Sequence, residues 1–322
     1  MLNKIYKILI VFTLTVFVIA CEREYTPVDL NTEPEIVVEG HIEAGDNAFP
    51  TYVILTKTVS FFENFDPNKL DNFFVNGAEV SVSDGSKSFN LQELCLDKLN
   101  PAQKLIAAQA FGLNPDSLQN IKLCIYLDLT GQLKGIEGKK YDLSIKAGSK
   151  TITASTVIPK IVAVDSFVFN KTFQNAYPDY RELGGYLTDP DGYNAYRLFA
   201  KVNKGNFVAN ARGSVVDDGI FDGKKSFRFQ YSNPVRRVIP KNETADEKKK
   251  YQGTGGLWRV GDTVSIKWCN IDKAHYEFWN TLEAARNNQG PFSSYTKVTS
   301  NINGGLGIWG AYSVKQYNMI VK

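Results

Sequence analysis

Four cysteines and two histidines carry most of the nucleophilic, redox and ligand chemistry available to this chain, and their neighbours say what each is for. Cys21 directly follows Val18-Ile19-Ala20. That branched-branched-small-Cys order at the end of an apolar run is the arrangement of a bacterial lipobox, whose cysteine is acylated through its sulfur after cleavage behind Ala20. Lys4 and Lys7 supply the basic start of the signal, and Ile8 to Ile19 its apolar core. The core falls short of the roughly 20 apolar residues that a permanent span needs. The chemistry expected at Cys21 is lipidation.

The other cysteines read differently. Leu94-Cys95-Leu96 and Leu123-Cys124-Ile125 bracket a helical excursion. In an exported chain a disulfide between Cys95 and Cys124 would staple its base and contribute roughly 3–4 kcal/mol; the alternative is two buried thiols. Cys269 shares a strand face with Ser265 and Lys267, opposite Val264, Ile266 and Trp268, and reads as an inert thiol. His41 lies in a strand pattern and His275 in the first turn of a helix, and neither has a second ligand at zinc spacing. Asp189-Pro190-Asp191-Gly192 and Asp217-Asp218-Gly219 invite a calcium reading, but each lacks the third acid and the closing Glu of a calcium loop. A type I turn accounts better for the first. There is no Gly-x-Ser-x-Gly elbow and no glycine-rich phosphate cradle ahead of a helix. No catalytic residue, metal or cofactor is expected.

One connection stands out for binding. Phe61, Phe62, Phe65, Phe73 and Phe74 crowd a stretch without strand alternation. They read as an apolar patch for a partner or as a loop folded over the end of a sandwich. Phenylalanine has no polar tip for sugar hydroxyls, which favours protein over glycan.

The elements that position these residues are strands. Period-2 alternation recurs in Glu35–Ile42, Tyr52–Val59, Glu79–Val82, Ile125–Leu129, Tyr141–Ile145 and Thr151–Val157, then in Val164–Asn170, Ala195–Val202, Ser226–Tyr231 and Val264–Cys269. The pattern predicts a mainly β protein of two β-sandwich-like domains, the first immunoglobulin-like, with two short helices. Residues 1–20 form the signal and 21–33 a polar tether. An N-terminal sandwich spans 34–159 with a helical insertion at 95–124, and a C-terminal β domain spans 160–322 with a helix at 272–287. Asn100 as cap, Pro101 and Gly112 bound the first helix. Asp272 caps the second, whose Phe278, Leu282 and Ala285, with Trp279, form the face expected to be buried. Removing the signal, with Lys4 and Lys7, takes the formal charge from +3 to +1. Near-neutrality without a concentrated basic face excludes nucleic acid as partner.

Several segments together resemble a known family. They are Ile36-Val37-Val38-Glu39-Gly40-His41-Ile42, Gly135 to Ile145, Asp165-Ser166-Phe167, Asp189 to Arg197, Asp217 to Gly223, Asn301 to Gly305 and Gly307-Ile308-Trp309-Gly310-Ala311-Tyr312. In order and number they resemble a Bacteroidota family of outer-membrane lipoproteins of unknown function, encoded near TonB-dependent receptors. Glu22 and Glu24 behind Cys21 likewise resemble the surface-export signal of such lipoproteins. The resemblance implies a lipid-anchored outer-membrane protein exposed at the cell surface. With the lipobox and the absence of catalytic signatures, the family's genomic company points to a non-catalytic accessory subunit docked on an outer-membrane β-barrel, either a TonB-dependent receptor or the barrel assembly machinery. The alternative is a surface protein that binds glycan or peptide, drawing on sixteen tyrosines and four tryptophans.

Overall fold

The computed structural model describes residues 33–59, 72–104, 123–210, 213–235, 244, 253–288 and 296–322. The expected signal, Ala20, Cys21, Phe61, Phe62, Phe65 and most of the first helix lie outside the described residues. Pro34–Lys322 form one compact unit, and the protein is mainly β. The first half contributes β1 (Ile36–Gly45), β2 (Tyr52–Lys57), β3 (Glu79–Ser83), β4 (Ser88–Cys95), β5 (Cys124–Leu127), β6 (Lys140–Ala147) and β7 (Lys150–Val157). The second contributes β8 (Ser166–Lys171), β9 (Tyr180–Leu187), β10 (Ala195–Val202), β11 (Val208–Ala209), β12 (Val215–Asp217), β13 (Phe227–Tyr231), β14 (Trp258–Arg259), β15 (Thr263–Ile271), β16 (Ile302–Asn303) and β17 (Leu306–Ile320). Helix α1 (Lys273–Asn287) links β15 to the segment before β16.

Among the described residues thirteen strands form one sheet, in the order β11-β10-β15-β17-β1-β2-β5-β4-β3-β6-β7-β16 with β12 beside β10. A second sheet joins β8, β9, β13 and β14. The centre of the large sheet is the parallel pairing of the first strand with the last, Val37 opposite Leu306 through Gly45 opposite Val314. That approach needs Gly307. Its φ is +109°, and a Cβ there would lie 1.9 Å from the Val38 carbonyl oxygen.

Pro159, the expected domain boundary, falls between two hydrophobic cores, yet the large sheet runs past both. Val38, Ile42, Leu55, Leu143 and Ile152 belong to one core, Tyr196, Leu198, Ile266 and Trp268 to the other. β17 serves each in turn, with Trp309 and Ala311 in the first and Tyr317 and Met319 against the second. The indole N–H groups are used to fix this packing: Trp309 donates to the Tyr141 carbonyl at 3.1 Å, and Trp268 to that of Val162 at 2.9 Å.

The helix starts form as their caps predict. Gln103 N–H donates to Asn100 Oδ1 at 2.9 Å and Asn100 N–H to Gln103 Oε1 at 3.0 Å, a reciprocal capping box. Asp272 Oδ1 accepts the His275 N–H at 2.8 Å, and its other oxygen accepts the Thr156 hydroxyl at 2.6 Å. The face of α1 that meets the sheet is not the expected one. His275 and Glu283 are its buried residues, whereas Phe278, Leu282 and Ala285 are only half-buried. Polar partners make this burial tolerable: Glu283 accepts N–H groups from Gly213 at 2.8 Å and Ser214 at 3.1 Å, and the Ser214 hydroxyl besides.

Candidate functional site

Strand alternation turns one face of the large sheet toward the two main cores. The other, with a smaller buried cluster around Cys269, Tyr312 and Val314, carries a mixed set of charged and apolar side chains. On β1 these are Glu39, His41 and Glu43; on β10, Arg197, Phe199 and Lys201; on β15, Lys267 and Cys269. β17 adds Ile308, Tyr312 and Gln316, and α1 brings His275 and Trp279 across the top. All of these but the fully enclosed Cys269 line a cleft of about 560 Å³, a size suited to a small ligand. His275 fits because position 310 is glycine, where a Cβ would stand 2.6 Å from the imidazole.

Two of the charged groups in the cleft wall are buried. Glu43 is 4% exposed. Its Oε1 accepts Lys267 Nζ at 2.6 Å and lies 3.4 Å from His41 Nε2, while Oε2 accepts the Phe49 N–H at 2.8 Å. Burial acts to raise its pKa, but the His41 hydrogen bond and the Lys267 charge outweigh it and hold the carboxyl at about 2. Arg197 is 7% exposed. Its Nη1 donates to the Tyr312 hydroxyl at 2.6 Å, and the guanidinium carbon sits 3.5 Å from the Trp279 ring centre and 4.9 Å from that of Phe199. Among the described residues no carboxylate ion-pairs with Arg197, and its enclosed Nε has no hydrogen-bond partner. The Trp279 indole N–H is in the same condition.

Both histidines pack edge-on against Tyr312, with centroids 5.2 Å away for His41 and 4.6 Å for His275. His275 Nδ1 lies 3.1 Å from the Ala311 carbonyl oxygen. Burial, then the Arg197 charge, depress its pKa well below the ordinary imidazole range. Burial raises the Tyr52 and Tyr312 phenols and pushes the Cys269 thiol up to about 12. The cleft therefore offers a fixed cation, a neutral imidazole and protonated hydroxyls.

Cys95 and Cys124 are joined as a disulfide across the β4–β5 pair. Phe73 and Phe74 are half-buried, and Phe74 packs on the small cluster around Leu96 and Ile125. No sequence pattern marks Arg197 or Glu43, whereas Trp279 falls with the expected apolar face of the helix and Lys267 on the strand face of Cys269. A signal existed: Arg197 interrupts the apolar run Ala195-Tyr196-Arg197-Leu198-Phe199, and a cation inside a buried strand needs a reason.

A comparison with curated proteins found no match. The sequence does match one family over residues 22–318, nearly its full length, and the chain belongs to that family, described as Domain of unknown function (DUF4249).

Proposed function

We propose that this protein is a non-catalytic, lipid-anchored protein of the Bacteroidota outer membrane that captures a small carboxylate-bearing ligand in the cleft. In this reading it serves a neighbouring β-barrel, a TonB-dependent receptor or the barrel assembly machinery, as an accessory subunit. The observation that carries the ligand assignment is Arg197, a buried guanidinium between two aromatic rings with no carboxylate ion-paired to it among the described residues. Guanidinium presents a rigid fork of donors that matches a carboxylate. An unpaired buried donor costs about 1–3 kcal/mol, which an entering acceptor recovers. The titratable groups favour binding over turnover. Glu43 is ionised and occupied by Lys267, His275 is neutral, and the phenols and thiol stay protonated. The lipobox at Cys21 and the family resemblance support the anchor and the partner.

Calorimetric titration of the detergent-solubilised full chain tests the ligand class. The probes are tri-galacturonate beside its neutral methyl ester, and a tripeptide with a free or an amidated C-terminus. One charged form should bind and its neutral counterpart should not, and Arg197→Lys should weaken binding about tenfold or more, because an ammonium cannot replace the fork. Equal binding of charged and neutral forms would overturn the assignment. Copurification of a stoichiometric barrel tests the partner separately.

A further inference from the structure

Two acidic turns that are distant in sequence meet at one end of β10, away from the cleft residues. Asp189 follows β9, and Asp218 and Asp222 lie in the turn after β12. Carboxylate oxygens of the three lie within 4.8 Å of one another. Asp189 and Asp218 are each 3% exposed, and Asp222 is open to solvent. Among the described residues no lysine or arginine ion-pairs with any of them, so two buried acids and a third beside them share no counter-charge.

The orientation of each carboxylate is fixed from behind. Asp189 Oδ1 accepts the Tyr196 hydroxyl, Asp218 Oδ2 accepts the Asn194 N–H, and Asp222 Oδ1 accepts the Gly192 N–H at 2.9 Å. The opposite oxygen of Asp189 is fully enclosed and has no hydrogen-bond partner among the described residues. Buried oxygens are rarely left so. These are the properties of an oxygen site built around a positive charge.

We propose that Asp189, Asp218 and Asp222 bind a calcium ion that ties the Asp189–Gly192 turn to the Asp218–Gly223 turn. Carboxylate oxygens with no histidine or thiolate among them select a hard cation. Calcium bonds of roughly 2.3–2.6 Å let one ion reach oxygens this far apart, whereas magnesium asks for about 2.0–2.1 Å and a near-ideal octahedron. Backbone carbonyls and water complete such a shell. The site is composite, one acid from the first turn and two from the second. For that reason neither segment by itself resembles a calcium loop. The proposal stands independently of the ligand assigned to the cleft.

Terbium luminescence on the chelator-treated full chain in detergent tests it. Tyr196 hydrogen-bonds Asp189, and its ring lies 5.0 Å from that of Trp268, so an ion held here is positioned for sensitised emission. Excitation of the aromatic residues should give saturable emission at one equivalent of Tb³⁺, displaced by Ca²⁺, and Ca²⁺ alone should raise the melting temperature. Asp222→Asn changes an exposed residue and leaves the buried pair in place. It should weaken Tb³⁺ binding about tenfold or more, while Asp97→Asn, at an exposed acid elsewhere, should not. Absence of saturable emission from folded wild-type protein, or equal emission from Asp222→Asn and Asp97→Asn, would overturn the site.

Discussion

Replacing Glu43 with Gln removes one charge from the cleft wall and nearly nothing else, since the amide keeps the shape and can still accept the Phe49 N–H. Two independent lines give its cost. The carboxyl is held at about 2 against an ordinary 4.5, which corresponds to about 3 kcal/mol of stability. The substitution also strands Lys267, whose side chain is only 16% exposed, and breaking a buried pair from one side costs roughly 3–5 kcal/mol. The lower figure is expected because Lys267 can turn toward solvent. The dependence on pH is fixed in direction. Between about 2 and 4.5 the unfolded chain binds more protons at this position than the folded one, so the contribution is complete above 4.5 and disappears as pH falls toward about 2. Urea denaturation of both proteins across this range should show a gap of about 3 kcal/mol at neutral pH that closes on acidification. Adding Lys267→Met should restore part of the loss, because a neutral pair replaces an isolated cation. A neutral-pH gap under about 1 kcal/mol, the value of an exposed pair, would refute the reasoning. So would a gap that does not change with pH.

Other substitutions probe separate parts of the molecule. Cys95 and Cys124, 29 residues apart, should resist alkylation until reduced, and reduction should lower stability by about 3–4 kcal/mol; labelling of Cys95 in unreduced native protein would contradict the bond. Gly310→Ala should push the His275 ring away from the Ala311 carbonyl and cost about 1–3 kcal/mol, read as a fall in melting temperature, whereas an unchanged melting curve would show that the helix is free to shift. Cys21→Ser should leave the signal uncleaved or release the protein from the membrane fraction; normal fractionation with intact acyl labelling would remove the basis for the lipid anchor.

The strands legible in the sequence were those whose one face is buried in a core. Ala195–Val202 was read without error because Tyr196, Leu198 and Ala200 alternate with residues of another kind. β9 and β17 were missed, and the reasons are physical. Gly184-Gly185 sits in the middle of β9 and reads as a turn, while in the fold the Phe229 ring covers position 185. β17 opens among glycines needed for its parallel approach to β1, and its second half mixes Lys315, Gln316 and Asn318 with Tyr317 and Met319, so it does not read as one long strand. Parallel pairing of the first strand with the last leaves no local trace, because its partners are separated by nearly the whole chain.

The same limit explains why the cleft was hidden. His41 and His275 each stand in the sequence without a second ligand at zinc spacing. What no local window contains is their shared neighbour, Tyr312, or the guanidinium that Tyr312 helps to hold. Each cleft residue is the odd one in its own segment: a charge between apolar neighbours on β10 and β15, a histidine and an acid on β1, an indole beside the expected apolar stripe of α1. Burying a charge in one strand is costly unless another element brings its partner. Lys267 receives that partner from β1 as Glu43, while Arg197 receives only aromatic rings and a phenol. That asymmetry is a property of the assembled sheet, and it singles out Arg197 as the buried cation without an ion-pair partner among the described residues.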